Sequence, residues 1–70
     1  MSNSNWEEGW EARADGFVSK TLARGDTLVW HPSMGGDRHT NHIHLSAAQA
    51  SDAFGSYKPL RTWLKTNGII

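Results

Sequence analysis

The first fifteen residues of the chain have the hydrophobic spacing of an amphipathic helix. Trp6, Trp10 and Ala14 recur at intervals of four, so they would lie along one side of a helix. Ser4, with a glutamate three positions later, has the form of a helix-starting capping box. The pattern therefore predicts a helix over about residues 5 to 15.

The pattern from residue 17 to residue 46 is that of β-strands. β-Branched and aromatic residues flank the Gly25-Asp26 pair, which predicts a β-hairpin whose second strand ends at Pro32. A polar loop with two glycines follows, and residues 41 to 46 then alternate between apolar and polar side chains. Because the connections leave no room for crossovers, these strands should form an antiparallel meander.

The last third of the chain predicts two short helices. Ser46 with Gln49 is a second capping box, and Gly55 is placed to end the helix that it starts. Pro59 suits the first position of another helix, whose apolar side contains Trp63. We expect the helices to cover one face of the sheet.

These elements together predict a single α+β domain over residues 1 to 70, in the order α-β-β-β-α with a three-stranded antiparallel meander. A chain of this length buries only about 60% of its unfolded surface, so its core must contain large side chains. The sequence has four tryptophans. We expect Trp10, Trp30 and Trp63, from the first helix, the second strand and the last helix, to meet in one core.

Composition excludes several classes of protein. The chain has no cysteine, which excludes disulfides, thiolate zinc sites and a cysteine nucleophile. Its longest apolar run is three residues, and its start has neither the basic nor the apolar part of a signal peptide, so we expect a cytoplasmic protein without a membrane span. A Gly-rich phosphate loop is also missing, and no cofactor is expected.

All four histidines lie in a stretch of fourteen residues: His31, His39, His42 and His44. His42 and His44 would lie on the same side of a strand, and a zinc site would need His31 to face that side as well. The alternative, which we favour, is that these are solvent-facing positions of a half-buried sheet and that no metal site exists. Imidazole can also act as a general acid or base on RNA, which makes His42 and His44 candidate catalytic residues.

Positive charge is concentrated towards the end of the chain, although the formal net charge is zero. Residues 53 to 70 contain Lys58, Arg61 and Lys65 and no acidic residue, so an anionic partner would meet this part first. With Arg38 from the polar loop, these residues are the candidate nucleic-acid contacts. The alternative is a solvated face of a helix.

A set of residues at the element boundaries suggests a family: Gly16, Phe17, Gly25, His31, Pro32, Lys58, Pro59, Leu60, Leu64, Gly68 and Ile69. Their order resembles the HicA-type mRNA interferase toxins, which have a fold like the double-stranded RNA-binding domain. In those toxins a catalytic histidine follows the turn glycine in a Gly-Ser-His string, which here reads Gly25-Asp26-Thr27. The resemblance implies RNA as the partner, a protein partner of antitoxin type, and either no cleavage or cleavage by His42 or His44 instead.

Two other functions remain open. Residues 46 to 70 are similar to the helix-turn-helix of excisionase-type DNA-binding proteins, with residues 47 to 54 as the first helix and residues 59 to 65 as the recognition helix. The third hypothesis is a small phage-type inhibitor that binds a protein. Its working surface would be the acidic first helix, with Glu7, Glu8 and Glu11.

Overall fold

A computed structural model describes residues 8 to 70 of the chain. This part forms a four-stranded antiparallel sheet, in which the strands pair in chain order, followed by two α-helices. The strands are β1 (Trp10–Ala12), β2 (Val18–Thr21), β3 (Thr27–Trp30) and β4 (Ile43–Leu45), and the helices are α1 (Ala47–Gly55) and α2 (Leu60–Thr66). Two short 3₁₀ turns lie at Ala14–Gly16 and Pro32–Met34. The α+β class and the antiparallel meander are therefore confirmed.

The hairpin of β2 and β3 forms as the sequence predicts. Its register places Val18 opposite Trp30 and Thr21 opposite Thr27. The turn is closed by the N–H of Leu22, which donates to the carbonyl of Asp26 at 2.7 Å. Gly25 has a φ of +91° there, a left-handed conformation that favours glycine.

The prediction of a helix over residues 5 to 15 is wrong for the described part of that range, which contains β1 and pairs with β2 instead. Trp10 lies opposite Lys20, and the chain reverses between the two strands through Asp15 and Gly16, both at positive φ. Gly9, at φ +85°, also departs from helical geometry. The start of the predicted helix, before residue 8, lies outside the described residues.

Both helices form in the predicted region: α1 ends at Gly55 as expected, whereas Pro59 is the N-cap of α2 rather than its first residue. The Ser46 hydroxyl accepts the N–H of Gln49 at 3.1 Å, and the Gln49 side chain accepts the N–H of Ser46 at 2.9 Å, which confirms the capping box. α2 ends where the N–H of Ile69 donates to the carbonyl of Leu64, with Gly68 at positive φ. Within the described residues, no helix has the length and apolar character needed to cross a membrane.

Both helices pack against one face of the sheet, which we call the helix-facing side. Trp63 lies in this core, and its indole N–H donates to the Asp52 carboxylate at 2.8 Å, so it joins α2 to α1. Two polar side chains, Ser19 and Thr27, are also buried on this side. The buried core consists of Phe17, Val29, Leu45, Ala50, Ala53, Leu60, Trp63 and Leu64.

The expected single core of three tryptophans is not observed. Trp30 follows Val29 in β3 and therefore points to the opposite face, where Trp10 also lies through its pairing with Lys20. Leu28 is buried on this opposite face, which thus has a small apolar group of its own. The helices cover the Val29 side and leave Trp10 and Trp30 apart from Trp63.

Candidate nucleic-acid interface

Three of the predicted phosphate-binding residues lie on or next to α2. Arg61 and Lys65 are four residues apart, so they share a side of the helix, and Lys58 lies just before it. Leu60, Trp63 and Leu64 occupy the side that faces the core. Lys58 and Lys65 are exposed, whereas Arg61 is half-buried.

Arg61 has a structural role as well as a charge. Its guanidinium lies 5.4 Å from the centre of the Phe17 ring, which is almost completely buried. Such a contact is a cation–π interaction that contributes about 0.5 to 1 kcal/mol at an exposed site. The structure shows that substitution of Arg61 would also alter the cover over Phe17.

A cleft of about 350 Å³ opens beside these residues, between the end of β1 and the end of α1. Arg13 and Lys58 bring positive charge to its lining, and none of the described lining residues is acidic. Small and apolar side chains form much of the remaining wall. The lining residues are Ala12, Arg13, Ala14, Ala53, Phe54, Ser56, Lys58 and Leu60.

Arg13 is held in the cleft by contacts on several sides. Its guanidinium lies 4.1 Å from the centre of the Phe54 ring, and its Nε donates to the Ser19 hydroxyl at 2.8 Å. A terminal nitrogen of the guanidinium also pairs with Glu11 at 3.3 Å. Sequence reasoning missed this residue, because Phe54 is distant in sequence and β1 was predicted as a helix.

The connection between α1 and α2 forms one rim of the cleft. The Ser56 hydroxyl donates to the carbonyl of Ala53 and accepts the N–H of Lys58, both at 3.3 Å. Between them, Tyr57 is fully exposed. Like Arg13, Tyr57 is not indicated by the sequence pattern. Its position outside both predicted helices gave no periodic signal.

Arg38 does not join the other three predicted contacts. Its guanidinium lies 5.1 Å from the centre of the Trp10 ring, on the side of the sheet opposite α2. The neighbouring Asp37 carboxylate accepts the N–H and the hydroxyl of Thr40 and the N–H of His39. These hydrogen bonds, those from Thr40 first, hold the pKa of Asp37 below its ordinary value. The loop around Arg38 is therefore tied together by an ionised side chain.

The two candidate catalytic histidines also lie away from the cleft. His44 is opposite Leu28 in the sheet register, and its Nε2 is 2.8 Å from the Asp26 carboxylate. The Nδ1 of His42 is 2.9 Å from the carbonyl of Arg38. The structure therefore separates these imidazoles from the cations of α2.

His31 lies on the helix-facing side, so the three imidazoles of the considered zinc site do not converge. Its ring is 4.8 Å from that of Phe17. Its Nδ1 accepts the N–H of Ser33 at 3.0 Å, which leaves Nε2 to donate to the carbonyl of Asp15 at 3.1 Å. Among the described residues, no three metal-binding side chains are grouped to hold an ion. His31 instead joins the end of β3 to the turn before β2.

These observations define the protein as a small α+β protein with an antiparallel meander, two helices on one face and a basic cleft where the helices meet the sheet edge. Comparison of the chain with protein-family models, with curated proteins and with solved structures finds no match.

Proposed function

We propose that this protein binds nucleic acid, RNA in preference, through the cleft and the exposed side of α2. The observation that supports this most is the placement of Arg13 and Lys58 in a cleft whose described lining has no acidic side chain. Arg61 and Lys65 extend the positive charge along α2. Because the formal net charge of the chain is zero, attraction to phosphates must come from such a local surface.

The size of this surface sets the expected strength of binding. At a helical rise of about 1.5 Å per residue, Arg61 and Lys65 are separated by about 6 Å along the axis. Together with Lys58, they can contact about three phosphates, and Arg13, which already pairs with Glu11, can add at most one more. The slope of log affinity against log salt should then be about −2 to −3 for a single strand.

The proposal is for binding without cleavage. Cleavage of RNA by imidazole requires the acid and the base to lie next to the scissile phosphate. His42 and His44 lie on the other side of the sheet from α2. One ring nitrogen of each is within hydrogen-bond distance of a protein oxygen, the carbonyl of Arg38 for His42 and the carboxylate of Asp26 for His44. The preference for RNA over DNA is based on the resemblance to the HicA-type toxins.

The test is fluorescence anisotropy with labelled single-stranded RNA, single-stranded DNA and duplex DNA of one sequence, over a range of salt concentrations. The double variant Lys58→Gln, Lys65→Gln should bind RNA more weakly, and its salt slope should be smaller by about 1.4, because each lost contact removes about 0.7. Arg61 is left in place because it covers Phe17.

Arg24→Gln is the matched control, since it removes one exposed cation from the β2–β3 turn. That turn lies beside Ala47 at the start of α1, whereas the cleft lies at the end of this helix. The control should keep the wild-type slope. No binding to any of these nucleic acids at about 50 mM salt would overturn the proposal. Stronger binding to duplex DNA than to RNA would favour the helix-turn-helix alternative.

A further inference from the structure

Tyr57 has a large aromatic side chain that is exposed to solvent and is not buried in the core. Its exposure is 106% of the reference value, and among the described residues only Ile70 is also a large hydrophobic residue in an exposed position. The residues on both sides of it, Ser56 and Lys58, line the cleft. Tyr57 therefore lies in the segment that borders the cleft, and its exposed ring is outside the lining.

The backbone that carries Tyr57 is constrained on both sides. The Ser56 hydroxyl bridges the end of α1 and the N–H of Lys58. Pro59, whose ring fixes its φ near the observed −56°, follows directly. Fixing the ring on a ligand would then cost only the freedom of its two side-chain torsions, which is a small entropic penalty for so large a contact area.

We propose that Tyr57 stacks on an unpaired base of a bound RNA strand while Lys58 contacts an adjacent phosphate. This inference rests on the proposed function and adds to it that the nucleic acid is single-stranded at this point. The faces of bases within a duplex are covered by their neighbours, whereas an unpaired base has a free face for an aromatic ring. An aromatic ring beside a cation is the combination that binds single strands with little sequence preference.

Tyr57 can be observed directly because it is the one tyrosine in the sequence. Its ring protons are therefore unambiguous in an NMR spectrum. We expect these resonances to move upfield during titration with oligouridylate, since a stacked base shields them. An abasic sugar-phosphate strand of equal length offers the same charge without bases and should leave these resonances in place.

Affinity measurements complete the test. Tyr57→Ala should weaken the binding of oligouridylate by about 5- to 150-fold, the range found for loss of one base–aromatic stack, and should leave its salt slope unchanged. Tyr57→Phe is the matched control, and it should bind like the wild type because it keeps the ring. The affinity for the abasic strand should be the same for all three proteins.

The outcomes separate this inference from the proposed function. If Tyr57→Ala binds oligouridylate like the wild type while Lys58→Gln, Lys65→Gln still lowers the salt slope, stacking is overturned and nucleic-acid binding stands. Equal weakening of single-stranded and duplex ligands by Tyr57→Ala would also overturn the stacking inference. If the wild type binds no nucleic acid, both proposals fail.

Discussion

Replacement of Trp63 by alanine should remove the side chain that joins the two helices to the sheet. Trp63 is 4% exposed and lies in the helix-facing core. Truncation of a buried tryptophan to alanine costs about 3 to 5 kcal/mol. At about 0.05 to 0.15 kcal/mol per residue, the free energy of unfolding of a chain this long is only about 3.5 to 10 kcal/mol. We therefore expect Trp63→Ala to lose between about a third and all of its free energy of unfolding at 25 °C.

Two further variants divide this loss into packing and hydrogen bonding. Asp52→Ala removes the carboxylate that accepts the indole N–H and should cost about 1 to 3 kcal/mol, the range for a buried donor that loses its acceptor. Trp63→Phe removes the same hydrogen bond and part of the buried ring, so its cost should lie between the other two.

The measurement is urea unfolding followed by far-UV circular dichroism, with Tyr57→Ala as the exposed-aromatic control. The unfolding midpoint should fall in the order Asp52→Ala, Trp63→Phe, Trp63→Ala, and the control should match the wild type. A Trp63→Ala protein within about 1 kcal/mol of the wild type would refute the reasoning, because truncation of a buried tryptophan typically costs about 3 to 5 kcal/mol.

Two smaller perturbations test the loops. Gly16→Ala should destabilise the fold by about 1 to 2 kcal/mol more than an unstrained change, since φ is +82° there. The new Cβ would also lie 3.2 Å from the His31 Nε2, so Gly68→Ala, at φ +72° with open space around it, should lower the midpoint of thermal unfolding by less. The hydrogen bonds that lower the pKa of Asp37 stabilise its loop at pH values above the ordinary aspartate pKa of about 3.9. This contribution is lost as the pH falls through the lowered pKa of the folded state. The protection of the Thr40 amide against exchange, relative to its intrinsic rate at each pH, should fall as acid protonates Asp37 and should be low at every pH in Asp37→Ala; the same protection in both proteins would contradict this.

The local signals in the sequence were sufficient for most of the elements. The Gly25 turn and the capping box of Ser46 each act within a few residues, and each is found where it was predicted. The alternation from residue 41 to residue 46 also placed Leu45 inside and His44 outside. Such signals depend on backbone geometry that the neighbouring residues determine by themselves.

What the sequence could not predict depends on contacts between distant residues. A three-residue strand such as β1 is too short to show a period of two, and its pairing with β2 outweighs the helical spacing of Trp6, Trp10 and Ala14. The alternation of side chains along the strand predicted that Trp30 and Val29 lie on different faces of the sheet. It could not predict which of the two faces the helices would cover. The cleft was missed because Arg13 meets Phe54 only in the folded chain.

The order of the strands also affects how the protein behaves at high concentration. The outer strands of the described sheet are β1 and β4, and each has only three residues. A sheet edge presents unpaired N–H and carbonyl groups that can recruit a strand from another molecule, and short edge strands offer few of them. Here the longer, more hydrophobic β3 is enclosed between two partners. The segment of this sheet most prone to edge-to-edge aggregation therefore has no free edge.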